Sequence, residues 1–261
     1  MKTRIDKLIV LAAILLLFSC QSNTEKKSDS TSSESKDVPA EVEKPTATPA
    51  ELAAYAYGID VSRGQRNEID SLNINTDSLS FIICKATEGV TYTDPYFESN
   101  WEKIPKKGFI RGAYHFYHTD DKPEVQAAFF VKTLTGLKDT DIAPVLDFEE
   151  ASIEKGKTID QIQADLMVFL KEVEKLSGRK PIIYTDDNIG NSHLNNPEFA
   201  DYALWIAYPA EVKEPRLPTT WQSKGWAFWQ KSWKYKIDGF TDDFDRYNGN
   251  LAELKRFIKD Y

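Results

Sequence analysis

The chain has 261 residues, with 33 Lys and Arg against 41 Asp and Glu for a formal charge of −8. An acidic chain without a basic run offers no electrostatic footprint for nucleic acid, and two cysteines cannot build a disulfide framework. No glycine-rich phosphate loop is present, and His115, His118 and His193 show no metal-ligand spacing, so neither a metal nor a cofactor is expected.

Lys2, Arg4 and Lys7 precede an apolar run from Leu8 to Phe18 that is too short to span a bilayer and reads as a targeting leader. It closes on Leu17-Phe18-Ser19-Cys20, which resembles the lipobox of bacterial lipoproteins. That resemblance implies a signal peptide over residues 1–19, a lipid on Cys20, and a protein of the bacterial cell envelope held to a membrane; an ordinary secretory leader is the alternative. Without Lys2, Arg4, Lys7 and Asp6, a net +2, the formal charge becomes about −10. From Gln21 to about Pro49 the chain is Ser, Thr, Glu, Lys, Pro and Ala, with too little apolar surface to offset its ordering entropy. Residues 20–54 are therefore expected to be a lipidated tether, with a reach of roughly 30 Å. Residues 55–261 are expected to form one domain.

Within that domain, apolar or alternating runs predict strands over Tyr57–Val61, Phe81–Lys85, Ile110–Phe116, Ala143–Phe148, Pro181–Tyr184, Ala203–Ala207 and Ala227–Gln230. Cys84 falls inside the second and is expected to be a small buried hydrophobe. Helices are predicted between several strands. Phe97, Trp101 and Ile104 share one face, and Val125, Ala128, Phe129 and Val131 suggest another. The clearest helix starts at Thr158, with Gln161 completing a capping box, carries Ile159, Ile162, Leu166, Phe169, Leu170, Val173 and Leu176, and stops at Gly178. Beyond it the helical pattern fades until a last helix with Leu251, Leu254, Phe257 and Ile258 on its inner side. Strands alternating with helices argue an α/β barrel, and the fading pattern argues an irregular one.

The chemistry concentrates in Leu146-Asp147-Phe148-Glu149. A strand alternates its faces, so Asp147 and Glu149 point the same way, and paired carboxylates are the working groups of glycosidases. Other polar groups sit at other predicted strand ends: Asp60, Glu88, His115 and Gln230, with Asp245 near the C-terminus and Asp242 and Asp243 as neighbours competing for its place. In a barrel such ends converge on one point.

Seven segments are similar to the glycoside hydrolase family 25 lysozymes, in that family's order: Gly58-Ile59-Asp60-Val61-Ser62, Lys85-Ala86-Thr87-Glu88-Gly89, Gly112-Ala113-Tyr114-His115-Phe116, Leu146-Asp147-Phe148-Glu149, Ile183-Tyr184-Thr185, Leu204-Trp205-Ile206-Ala207 and Phe228-Trp229-Gln230. The resemblance covers residues 57–250. It departs after the first strand, where Ile69-Asp70-Ser71 stands in place of the family's Ile-Asp-Trp. It implies a TIM-like barrel of about five β/α units with a β-rich end, and cleavage of the β-1,4 bond between N-acetylmuramic acid and N-acetylglucosamine in peptidoglycan. The implied partners are glycan strands, met by a monomer. Carried over position by position, Glu149 is the expected general acid, Asp147 stabilises the intermediate in a substrate-assisted retaining reaction, and Asp60 and Asp245 shape the field; inversion through Asp60 or Asp245 is the competing scheme. Tyr114, Tyr184, Trp205, Trp229, Gln230, Glu88 and His115 are the expected substrate-binding residues. A binding-only wall protein and a chitinase are the rival readings.

Overall fold

A computed structural model describes residues 49–65, 69–71, 78–237 and 240–261. The expected leader, Cys20 and the tether as far as residue 48 lie outside the described residues. The last residues assigned to the tether are instead a helix, α1 (Pro49–Ala54), in which the Tyr55 amide donates to the Glu51 carbonyl at 2.7 Å. Proline at the first position followed by Glu, Leu and Ala is a good helix start, which composition alone had hidden.

In chain order the elements are β1 (Tyr57–Val61), β2 (Phe81–Glu88), β3 (Tyr92–Thr93), α2 (Phe97–Lys106), β4 (Ile110–Phe116), α3 (Pro123–Thr133), β5 (Val145–Asp147), α4 (Ile159–Ser177), β6 (Ile182–Asp186), α5 (Asp187–His193), β7 (Ala203–Ala207), β8 (Phe228–Ile237), β9 (Phe240–Tyr247) and α6 (Leu251–Asp260). Strands β1, β2, β4, β5, β6, β7 and β8 pair in parallel in that order. β9 pairs antiparallel with both β8 and β1 and so closes an eight-stranded barrel, with β3 folded back on the end of β2. The domain is mixed α/β. The strand from Phe240 to Tyr247 was not foreseen: its Thr-Asp-Asp-Phe-Asp-Arg sequence reads as a polar loop, yet Asp243 lines the cavity and Asp245 is buried two residues further on.

Alternation sorts the barrel into two cores. Ile59, Cys84, Leu146, Ile183, Leu204, Ile206 and Trp229 face outward onto the helices. Phe81, Ile83, Val145, Ile182, Trp205, Phe228 and Tyr247 pack together inside the barrel with Leu254 and Ile258 of α6. Gly58 is required by that inner packing, because a Cβ there would stand 2.3 Å from the Phe81 ring. One end of the barrel is thus plugged with apolar side chains, and the polar residues collect where the parallel strands end. Cys84 is free and buried, and burial pushes its thiol pKa up.

The helix from Thr158 forms as the sequence implied. The Thr158 amide donates to Gln161 Oε1 at 2.9 Å, the Gln161 amide donates to Thr158 Oγ1 at 3.3 Å, and Gly178 ends the helix at φ 70°. Its expected stripe is too long at both ends: Ile159 and Leu176 are exposed, and burial runs from Ile162 to Val173. On α3 the expected face is wrong. Val125 and Ala128 face solvent, while Gln126, Ala127 and Phe130 are buried, because Gln126 goes inward to bond histidine and backbone groups.

Candidate active site

The strand ends meet around a cavity of about 220 Å³. Its carboxylates are Asp60 from β1, Asp147 from the end of β5, Glu149 two residues beyond it, and Asp243 from β9. Tyr114, Phe116, Tyr184 and Trp205 supply aromatic walls; Lys85, Ser62 and Gln230 complete the lining. β5 stops at Asp147 rather than Phe148, but Glu149 keeps an extended backbone (φ −138°), so both acids still reach the cavity. The Glu149 amide donates to Ser152 Oγ at 3.2 Å, fixing the turn that carries it.

Burial governs the electrostatics. Asp147 is buried, its Oδ1 has no hydrogen-bond partner, and its pKa stands well above the usual carboxylate value through burial first and the neighbouring Glu149 second. Glu149 is also raised, by burial and then by Asp186, while Lys85 pulls both acids down. Burial first, and for Asp147 the neighbouring Glu149 second, favour the protonated form of both acids.

Gln230 organises the floor. Its Nε2 donates to Asp60 Oδ2 at 2.7 Å, while its Oε1 accepts from Tyr184 Oη and from Trp233 Nε1, each at 2.8 Å. Burial and the surrounding acids hold the Tyr184 hydroxyl protonated, so it remains a donor. Tyr184 meets Trp205 edge to face at 4.9 Å, and Trp205 Nε1 donates to Asp245 Oδ1 at 2.9 Å. Lys85 is held by Glu88 Oε2 at 2.6 Å and lies 4.8 Å from the centre of the Phe116 ring. Burial acts against ionised Glu88, but hydrogen bonds from Lys85 and His118 bring its pKa below the ordinary value.

Seven of the expected residues come together here: Asp60, Asp147, Glu149, Tyr114, Tyr184, Trp205 and Gln230. Four do not line the cavity. Asp245 is fully buried one pleat below, and Asp243 takes the lining position opposite Asp60. Glu88 acts on Lys85. His115 points outward from β4, bonded to Thr87 Oγ1 at 2.7 Å and stacked on Phe169, and burial pushes its pKa down to about 3, leaving it neutral. Trp229 also faces outward, its Nε1 donating to the Tyr208 carbonyl. Odd and even positions of a strand face opposite ways, and both residues lie beside the inward-facing member of their pair.

A second cavity, about 580 Å³, shares Glu149 and Tyr184 with the first and is lined further by Asp186, Asp187, Asn188, Tyr208, Arg216 and Trp233. Sequence reading missed Trp233 because the strand was ended at Gln230, whereas β8 continues to Ile237. Among the described residues no group of three or more His, Cys, Asp or Glu is arranged to hold a metal ion.

A closed barrel whose strand ends bring an Asp and a Glu into one aromatic-walled cleft is an arrangement that glycoside hydrolases use. Residues 59–240 match the glycosyl hydrolases family 25, and the chain belongs to that family. The uncharacterised protein YegX of Escherichia coli K12 is 35% identical over 214 residues, covering 79% of this chain and 75% of YegX. Lysozyme M1 of Streptomyces globisporus is 31% identical over 219 residues, covering 80% of this chain and 73% of its own length. A family GH25 lysozyme from Aspergillus fumigatus superposes with a TM-score of 0.68 at 30% identity, covering 78% of this chain and 99% of that one.

Proposed function

We propose that the protein is a peptidoglycan hydrolase that cleaves the β-1,4 bond between N-acetylmuramic acid and N-acetylglucosamine. The observation that carries this is the meeting of Asp147 and Glu149, both with raised pKa values, in one aromatic-walled cleft. The similarity to a lysozyme supports the choice of substrate.

Glu149 is the proton donor. It is the more exposed of the two acids and can reach a glycosidic oxygen from the cleft. Asp147 lies deeper, where a substrate N-acetyl group would meet it. An amide N–H donating to Asp147 favours its ionised form, which leaves the shared proton on Glu149. The N-acetyl oxygen attacks the anomeric carbon as the bond to the leaving oxygen breaks, and Glu149 gives that oxygen its proton. The resulting oxazolinium is stabilised by ionised Asp147. Glu149, now a carboxylate, takes a proton from water as the water oxygen attacks the anomeric carbon, restoring the N-acetyl group with net retention. Asp60 adds negative potential where positive charge develops, and Asp245 shapes the cleft from beneath by accepting from the Trp205 indole.

The same reading casts the barrel as an irregular TIM-like one with about five β/α units and a β-rich end, supported by the parallel strands up to β8 and the antiparallel β9. Residues 1–19 are then a lipoprotein signal peptide, residues 20–54 a tether lipidated on Cys20 that ends in α1, and the protein a monomer anchored in the bacterial envelope. Lys2, Arg4, Lys7 and the Leu17-Phe18-Ser19-Cys20 ending support the anchor. Cys20→Ser should move the protein from the membrane to the soluble fraction.

Purified peptidoglycan digested with the protein should release muropeptides bearing muramic acid at the new reducing end by mass spectrometry, and Glu149→Gln should abolish them. Binding to sacculi without new reducing ends from the unaltered protein would overturn the reading.

A further inference from the structure

We infer that the second cavity is a saccharide subsite for the departing side of the glycan strand, with Trp233 as the surface on which a neutral N-acetylhexosamine ring stacks. This rests on the reading of Glu149 as the proton donor. A general acid that protonates a glycosidic oxygen stands between the sugar that is attacked and the sugar that leaves. Glu149 and Tyr184 line both cavities. The first holds Asp147, which acts on the attacked sugar, so the leaving sugar falls in the second.

The chain has six tryptophans, and five of them (Trp101, Trp205, Trp221, Trp226 and Trp229) are at most 8% exposed. Trp233 is 55% exposed. Its ring is nevertheless fixed, because Nε1 donates to Oε1 of buried Gln230 at 2.8 Å. A large apolar ring held open to solvent by a hydrogen bond into the active-site floor is a surface built to be covered by a ligand. The backbone aims it there. The β8–β9 register slips between Gln230 and Ser232 and again between Ser232 and Tyr235. Bulges of this kind re-aim side chains beside active sites. Trp229 and Trp233 share strand parity, yet Trp229 faces the helices and Trp233 lines the cavity.

The surroundings select the ligand. Beside the protonated Glu149, the acids Glu150, Asp186 and Asp187 line this cavity against one cation, Arg216, whose Nε already donates to Asp187 Oδ2 at 2.5 Å. That excess of negative charge disfavours an anionic group such as a free carboxylate and favours a neutral sugar, whose hydroxyls can donate to the carboxylates while its C–H face covers the indole. In a strand cut after N-acetylmuramic acid, the leaving residue is the neutral N-acetylglucosamine.

The test uses the full chain and the disaccharide with N-acetylglucosamine at its non-reducing end, the chemical end that the leaving sugar acquires. Because Trp233 is the exposed tryptophan, binding should shield its fluorescence from acrylamide and shift the emission to the blue. Trp233→Ala should weaken binding and raise KM on peptidoglycan by about tenfold, with a smaller change in kcat. Trp233→Phe, which keeps a ring but loses the bond to Gln230, should recover most of the loss. The side chain is exposed, so neither change leaves a cavity in the core. A fall in kcat at unchanged KM, equal in the Ala and Phe variants, would mean that Trp233 acts only through Gln230 on Asp60 and would overturn the subsite. Cleavage of peptidoglycan without shielding of Trp233 would also overturn it. Shielding without any cleavage would leave the subsite standing and remove the hydrolase reading instead.

Discussion

Asp245→Asn should make the protein more stable at pH 8 and make little difference at pH 4. Asp245 is fully buried; its Oδ1 accepts from Trp205 Nε1 at 2.9 Å, but its Oδ2 has no donor. Burial, then Asp60 and Asp243, raise its pKa well above the ordinary carboxylate value. Below about pH 3.9 the acid is protonated in both the folded and unfolded chains, and it contributes no pH dependence. Above that, the unfolded chain releases the proton while the folded chain retains it, so stability falls as pH rises toward the folded pKa. Each unit between the two values costs about 1.4 kcal/mol. In a domain of this size that is about 3–6 °C of Tm per unit. Asparagine keeps Oδ1 for Trp205 and places an N–H where the orphan oxygen was, facing Asp60. Thermal unfolding of both proteins from pH 4 to 8 measures the difference. The variant's Tm advantage should grow with pH, while kcat/KM on peptidoglycan changes little wherever the folded parent keeps the Asp245 proton, because one neutral group then replaces another. A variant equally or less stable than the parent at every pH would refute the account of Asp245 as a strained buried acid.

Lys85→Met removes the cation that lowers both Asp147 and Glu149. Both limbs of the kcat/KM profile against pH should move to higher pH; an unmoved profile would deny Lys85 this role. Tyr184→Phe deletes the hydroxyl that donates to Gln230 and should cost about 1 kcal/mol in urea unfolding. Its loss of activity should exceed its loss of stability, because Gln230 also holds Asp60; parallel losses would count against that coupling. Gly58→Ala places a Cβ 2.6 Å from the Phe81 carbonyl as well as against its ring. A backbone contact cannot be relieved by a rotamer change, so at least about 1–3 kcal/mol of destabilisation is expected. A fully stable variant would mean that β1 and β2 can separate without penalty.

What could be read from the sequence depended on how regularly each element repeats. Tyr57–Val61, Ile110–Phe116 and Ala203–Ala207 occupy the residues predicted for them, because each is a short uninterrupted strand with apolar neighbours on both faces. The Thr158–Gly178 helix was legible for the same reason: its cap, stripe and stop agree. Legibility failed where periodicity breaks or inverts. The register slips in β8 hid its continuation and with it Trp233. Asp243 and Asp245 of β9 face into the barrel, in a sequence that mimics a loop. Carboxylates were therefore found by motif, whereas the residues that position them were not. Residue type alone also could not distinguish Tyr184, which faces the cleft, from His115 and Trp229, which lie on outward strand faces.

The two ends of the barrel oppose one another energetically. Asp147, Glu149 and Asp245 all carry raised pKa values, so the catalytic end disfavours folding at neutral pH relative to uncharged isosteres. The other end offsets this with a packed apolar plug in which Phe81, Phe228 and Tyr247 stack edge-on or tilted against one another and Phe257 of α6 covers them. The same strands run through both, so the residue two positions before a cleft residue on the same face belongs to the plug: Val145 below Asp147, Ile182 below Tyr184, Phe228 below Gln230. Truncating the plug should therefore disturb the acids without touching them, through the strand ends it holds in register. Such an effect on activity would come with a loss of stability, whereas Asp245→Asn should raise stability and leave activity largely in place. That difference in outcomes separates residues that hold the site in register from a buried acid that the fold accommodates at a cost in stability.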